Sequence, residues 1–314
     1  MASGKNLQAT GYKPHALIMF IALTPNPALD RTLTLEQPLK QGQLHRVSQV
    51  KEVAGGKGLN VARVLKTLGA EVVVAGFLGG WNGQKFRALL EREGLTGIFE
   101  DVEGETRECQ ILLDHSGHPT EVYERGARVT LSNWQALIKR LPKGKVIVSG
   151  SFASGLADNE IPTVLSALGT PVFDGSGKAL RAAIRQDVLF IKPNASELAQ
   201  LLNKSEAGVK EARELYQKHG APILLTLGAE GAAYIGERVY VAKAPRIEVL
   251  NPVGSGDSLL AAFVWAQGEG YDLEDALRFG VAAGSDNARN GGGGNVSVAG
   301  IEALARAVQV ETAS

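Results

Sequence analysis

Short, continuously apolar runs alternate along the chain with segments of helical period. Ile18–Leu23, Glu71–Phe77, Val146–Ser149, Pro171–Asp174, Leu189–Lys192 and Ile223–Leu227 read as strands covered on both faces. Between them, Leu59–Leu68, Gln84–Glu93, Ala179–Arg185 and Val209–His219 gather their apolar residues on one side, as amphipathic helices do. Strand–helix alternation of this kind predicts an α/β fold, a mainly parallel sheet wrapped by helices in three layers. Two stretches break the rhythm, Thr32–Val53 and Gly97–Arg125, where period-two segments such as Glu108–Leu113 and Thr120–Tyr123 have no helix between them. They predict a small second sheet, a lid or dimer surface over about 31–53 and 97–126, with an edge extension of the main sheet as the alternative. A hairpin turn is expected at Asp114–Pro119. Ser258–Gln267 is apolar almost all round and reads as a helix buried between layers. The run Gly291–Gly294 reads as a flexible turn after a helix over Asp275–Asn290.

Composition narrows the class. The 314 residues carry 33 lysines and arginines against 33 aspartates and glutamates, so no global field draws in nucleic acid or an anionic membrane. Any phosphate recognition must be local. The one cysteine, Cys109, excludes an internal disulfide and a multi-cysteine zinc site, and reads as a small apolar filler. The five histidines show no metal-ligand spacing. No run approaches the roughly 20 apolar residues of a membrane span. Residues 1–16 are polar and irregular and read as a leader before one domain over 17–312, with a cytoplasmic setting expected.

Four segments, three of them glycine-bearing, sit where the pattern places strand ends or helix starts. Asn251-Pro-Val-Gly-Ser-Gly-Asp-Ser258 runs into the buried helix. Its glycines expose successive N–H groups at a positive helix terminus, and Asp257 serves either as a base toward an attacking hydroxyl or as an ordinary N-terminal cap. Ala54-Gly-Gly-Lys-Gly-Leu-Asn60 fits neither a P-loop nor the dinucleotide fingerprint, since Val61 stands where the last glycine belongs. What remains is close backbone approach to a ligand, with Lys57 and Asn60 beside it, or a plain strand-to-helix turn. Lys192-Pro-Asn-Ala-Ser-Glu197 sets Asn194 and Glu197 one turn apart, suited to a magnesium-bound water or phosphate, or to a capping box. Leu225-Thr-Leu-Gly-Ala-Glu-Gly231 is a nucleotide-side glycine turn or a hairpin connection. Arg107, inside the expected lid, could clamp a phosphate bidentately or lie idle at the surface.

Together with Thr24-Pro-Asn-Pro-Ala-Leu-Asp30, Gly104-Glu-Thr-Arg107 and Ser149-Gly-Ser151, these motifs resemble the phosphofructokinase B-type sugar kinases of the ribokinase superfamily, over essentially all of residues 19–310. The likeness is greatest to the branch of fructose-1-phosphate and tagatose-6-phosphate kinases. The resemblance implies a ribokinase-like fold with a β-lid that also makes a homodimer contact. It implies Asp257 as catalytic base and Gly254, Ser255 and Gly256 as an anion hole. It assigns Asp30, Gly56, Lys57, Asn60 and Arg107 to the sugar phosphate, and Asn194 and Glu197 to Mg2+, through water, and to phosphate. Thr226, Gly228, Gly231 and Asn287 fall to the ATP site. The implied reaction is ATP-dependent phosphorylation of a ketohexose phosphate, first fructose 1-phosphate to fructose 1,6-bisphosphate, then tagatose 6-phosphate, then fructose 6-phosphate. A nicotinamide oxidoreductase lacks its fingerprint here, and a non-catalytic sugar-phosphate sensor would have no need of Asp257. One departure stands out: the family's Ser-Gly-Ser-Leu-Pro loop reads Ser149-Gly-Ser-Phe-Ala-Ser-Gly155, which opens the shape of that loop.

Overall fold

The computed structural model describes residues 18–114 and 119–313. The expected leader at 1–16 and most of the Asp114–Pro119 turn lie outside the described residues. The chain opens with strands β1 (Phe20–Thr24), β2 (Ala28–Leu35) and β3 (Val47–Gly55), then helix α1 (Lys57–Thr67), β4 (Val72–Leu78), α2 (Gly80–Arg92) and β5 (Thr96–Asp101). Next come β6 (Arg107–Leu113), β7 (Thr120–Tyr123), α3 (Leu131–Arg140), β8 (Lys145–Ser149), α4 (Ile161–Ala167), β9 (Val172–Asp174) and α5 (Gly177–Ala183). They lead to β10 (Phe190–Ile191), α6 (Ala195–Leu202), α7 (Val209–His219), β11 (Ile223–Thr226), β12 (Gly231–Ile235) and β13 (Val239–Lys243). The last elements are α8 (Ser255–Gly268), α9 (Leu273–Asn290), α10 (Val298–Ala305) and β14 (Gln309–Ala313).

The main sheet runs β14-β13-β12-β11-β10-β9-β8-β1-β4-β5. From β5 to β11 its neighbours are parallel, and β12–β14 are added antiparallel at one edge. Because successive side chains leave opposite faces of a strand, β1 serves two cores at once. Phe20 and Ala22 enter the core beneath α1, α2, α8, α9 and α10, whereas Ile21 and Leu23 enter the core beneath α3–α7. Hence the continuous apolar runs, and hence the three layers. All parallel strands end at the same edge of the sheet, where β1, β8, β9 and β11 finish in Thr24, Ser149, Asp174 and Thr226.

The second sheet has the order β3-β2-β6-β7. β2 follows β1 through Pro25–Pro27, pairs antiparallel with β3 and parallel with β6, and sets Asp30 opposite Val53 on one side and Cys109 on the other. The expected lid boundary at 97 is corrected. Residues 96–101 form β5, which pairs in parallel with β4 at the edge of the main sheet and buries Phe99 there. The lid therefore takes its second part from Arg107 onward.

Helix α8 is firmly anchored near the strand ends. Leu259 to Val264 are all buried, and α9 crosses it closely enough that a Cβ on Gly280 or Gly284 would stand 3.0 Å from the carbonyl of Leu259 or Ser255. Each buried leucine here contributes about 2 kcal/mol of burial, so the first turn of α8 is held firmly.

Candidate active site

A cleft of about 1160 Å³ lies between the carboxyl edge of the main sheet and the lid. Asp30, Gly56, Lys57, Asn60, Arg107, Asn194, Glu197, Thr226, Gly228, Gly231 and the turn Gly254–Asp257 all line it. Segments up to 227 residues apart in the chain thus meet in one cavity. Its volume exceeds the roughly 300–1,000 Å³ of a site for one drug-sized ligand, leaving room for two substrates.

At the floor, Gly254 adopts φ +82°, and a Cβ there would stand 2.6 Å from Gly293 Cα. Both the conformation and the contact require glycine. First-turn amides of a helix have no intrahelical acceptor. In α8 the Ser255 amide turns back to the Pro252 carbonyl (3.1 Å), which leaves those of Gly256 and Asp257 for a ligand. Asp257 is buried and accepts a hydrogen bond from Asn60 Nδ2 at 2.8 Å. Burial pushes its carboxyl up to about 6; Asp174 adds to the rise, while Lys57, the Asn60 amide and Lys192 oppose it. A carboxylate poised near 6 is still largely ionised at neutral pH yet a better proton acceptor than an exposed aspartate.

Asp174 was not singled out from the sequence. It is fully buried at the end of β9, accepts from Ser149 Oγ at 2.8 Å, and lies 3.4 Å from Lys57 Nζ and 3.2 Å from Lys192 Nζ. Burial alone would raise it; Lys192, Lys57 and the Ser149 hydroxyl together hold it below the usual carboxylate range. Asp174 in turn keeps Lys57 firmly protonated against the opposing effect of burial. The available signal was an aspartate closing an apolar strand before Gly175-Ser-Gly177.

Asn194 and Glu197 do form a capping box on α6: Glu197 N donates to Asn194 Oδ1 (2.8 Å) and Asn194 N to Glu197 Oε2 (2.9 Å). Capping and cleft lining coincide, because the other carboxylate oxygen of Glu197 lies 3.9 Å from Lys57 Nζ. Asn194 also bridges to Thr226, tying α6 to the end of β11. The Leu225–Gly231 segment is likewise both of its readings at once, a hairpin connection between β11 and β12 and part of the cleft wall.

On the lid side, Arg107 donates to the Asn26 carbonyl through Nε (3.2 Å) and Nη2 (3.0 Å). Asp30 is pushed up to about 6 by burial, against the pull of Arg107, Arg63 and a hydrogen bond with Cys109. Burial raises the Cys109 thiol to about 11, so it is no thiolate at neutral pH.

Two expectations are corrected. Asn287 does not line the cleft. Its side chain is consumed in bracing, donating to the Val253 carbonyl (2.8 Å) and Ser255 Oγ (3.3 Å) and accepting from Ser258 Oγ, Gly294 N and Asn295 N. Gly291–Gly294 is not merely a flexible turn: a Cβ on Gly293 would stand 2.5 Å from Asn60 Oδ1, and one on Gly294 2.7 Å from the Asn60 carbonyl. The run wedges between Asn60 and Gly254, and it needs glycines to fit. In the altered loop, Phe152 stacks on Trp134 (centroids 5.1 Å apart, 20° between planes), and Ser154 accepts from the Val129 amide at 2.7 Å. Aromatic packing anchors the loop without the proline.

Residues 17–299 match the family described as pfkB family carbohydrate kinase. A 1-phosphofructokinase of Borreliella burgdorferi is 32% identical over 286 residues, spanning 87% of this chain and 92% of its own. A tagatose-6-phosphate kinase of Staphylococcus epidermidis is 33% identical over 311 residues, spanning 93% and 99%. Among solved structures, phosphofructokinase-2 of Escherichia coli superposes with a TM-score of 0.86 at 25% identity, covering 93% of this chain and 99% of that one.

Proposed function

The chain belongs to the pfkB family of carbohydrate kinases, and we propose that within it the protein phosphorylates a ketohexose phosphate, fructose 1-phosphate before tagatose 6-phosphate. The observation that carries the reading is Asp257, a buried carboxylate with its charge tuned toward neutrality beside the open amides of α8. In the proposed reaction the sugar phosphate lies under the lid near Asp30, Asn60, Arg107 and Lys57. ATP lies along Thr226, Gly228, Gly231 and the start of α8. The acceptor hydroxyl gives its proton to Asp257 as its oxygen bonds to the γ-phosphorus and the bond from phosphorus to the ADP oxygen breaks. The amides of Gly256 and Asp257 receive the negative charge that spreads over the transferring group. Closing the cleft under the lid excludes water that would otherwise accept the phosphoryl group.

Support for a substrate already phosphorylated comes from two cations that line the cleft, Arg107, held on the Asn26 carbonyl, and Lys57, held beside Asp174, both placed to take up phosphate charge. Both relatives, at 32% and 33% identity, are named for ketohexose phosphates, which keeps tagatose 6-phosphate as the second reading. Mg2+ fits the donor set: Glu197 offers one carboxylate oxygen outside the cap, with Asn194 beside it, and among the described residues no group of three acidic, histidine or cysteine side chains forms a full cage. That suits an ion held largely by substrate phosphates and water, which would neutralise phosphate charge. A homodimer through the lid is supported by the exposed Leu44, Val47, Val50 and Val122 of its strands and loop. No described helix is long and apolar enough to cross a membrane, and with one cysteine and no described disulfide a cytoplasmic setting is the reading we adopt.

The test is ADP release measured across fructose 1-phosphate, tagatose 6-phosphate, fructose 6-phosphate and free fructose. The expected order of kcat/KM follows that sequence. A free sugar outranking every sugar phosphate overturns the substrate class.

A further inference from the structure

We propose that Asp174 is a positioning residue for phosphoryl transfer: one buried carboxylate that tethers Lys57 and Lys192, from two separate elements, into a single cationic floor against the first turn of α8. The inference rests on the kinase reading and goes further, because it gives a role to two groups, Asp174 and Lys192, that the reaction as described leaves idle.

The geometry is specific. Lys57 opens α1, and Lys192 follows β10. Their ammonium groups lie 3.4 and 3.2 Å from the same oxygen, Asp174 Oδ1, while Oδ2 is fixed by Ser149 Oγ at 2.8 Å. Lys192 is only 3% exposed. Asp174 is the carboxylate that partners this buried ammonium, and breaking such a pair leaves the other charge uncompensated. Lys57 is 40% exposed at its side chain and lines the cleft. Lys192 Nζ lies 3.6 Å from where a Cβ on Gly256 would stand, against the amides proposed to receive the phosphoryl charge. Lysine side chains are long and loosely held. Binding both at one oxygen fixes them where a phosphoryl group passes between base and amides.

The same carboxylate also faces Asp257. The charged groups facing that base are Asp174, which raises it, and Lys57 and Lys192, which lower it, with Glu197 behind Lys57; Asn60 is its neutral partner. A purely structural ion pair would leave the kcat plateau intact however far the Asp257 midpoint moved.

The test uses the full chain, comparing wild type with Asp174→Asn by carboxyl 13C NMR titration, with Asp257→Asn assigning the signal, alongside kcat against pH for fructose 1-phosphate. In Asp174→Asn the Asp257 midpoint should fall by about one unit or more, since a repelling charge is lost and two attracting ones are freed. The acidic limb of kcat should follow, and its plateau should drop about tenfold or more as the lysines lose their tether. Lys57→Met, at a part-exposed position, should move the midpoint the other way; it carries the test if Asp174→Asn does not fold. An unmoved midpoint in a folded variant, or a shifted midpoint with an intact plateau, overturns the proposal. Failure of the wild type to release ADP with any ketohexose phosphate sinks the functional reading instead, and the substrate-free titration still reads the network.

Discussion

Removing the Asn60 amide isolates what tunes the proposed base. Asn60 Nδ2 donates to Asp257 Oδ2 at 2.8 Å, stabilising the ionised carboxylate. A hydrogen bond to a charged group contributes about 1.5–3 kcal/mol, and 1.36 kcal/mol corresponds to one pKa unit. Asn60→Ala should therefore raise Asp257 from about 6 by roughly one to two units, to between about 7 and 8. Since the base works ionised, activity is lost as pH falls through its pKa. At pH 7 the ionised fraction would drop from about nine-tenths to between a half and a tenth. The assay is ADP release from pH 5 to 9 at constant ionic strength with saturating substrates. Asn60 also faces the proposed sugar site, so a rise in KM is uninformative and the position of the acidic limb decides. A limb unmoved from wild type, with reduced but measurable turnover, would refute the claim that this hydrogen bond sets the base.

Asp30→Asn should stabilise the protein while impairing it. Its folded pKa of about 6 exceeds the unfolded value of 3.8, so the folded state is penalised above the unfolded pKa, fully so beyond about pH 6. Thermal melts should show a Tm gain at pH 8 that vanishes near pH 4, worth about 1–3 kcal/mol at most; an equal gain at both would contradict it. Gly254→Ala forces a side chain into φ +82° and against Gly293, and should cost about 1–3 kcal/mol by denaturant titration and most of kcat. Phe152→Leu loses the stack on Trp134 and should cost about 1 kcal/mol, raising KM for the sugar phosphate more than for ATP in steady-state kinetics.

Much of this site was legible because its chemistry follows chain-local rules. Glycines before Asp257 and around Lys57 mark places where backbone approaches a ligand, and apolar strands announce the edge at which they end. Asp174 escaped because a single aspartate at a strand end looks like any turn residue until Lys57 and Lys192 arrive from elsewhere. The Gly291–Gly294 run read as slack since its reason, contact with Asn60 and Gly254, is tertiary. Asn287 sits on α9, whose Gly284, Ser285 and Ala288 line the cleft, but it spends its own amide on the turn that carries the base. Residues 97–101 fall within the expected lid because a strand-like stretch looks the same in a lid and in an edge strand. Only the partner, β4, tells them apart.

Replacing one atom of the proposed base tests the account most directly. Asp257→Asn preserves shape and the Asn60 contact but cannot accept the proton. With fructose 1-phosphate and ATP, kcat should fall about a thousandfold or more, with Tm and both KM values close to wild type. A folded variant that keeps more than about a tenth of wild-type kcat would show that the proton goes elsewhere.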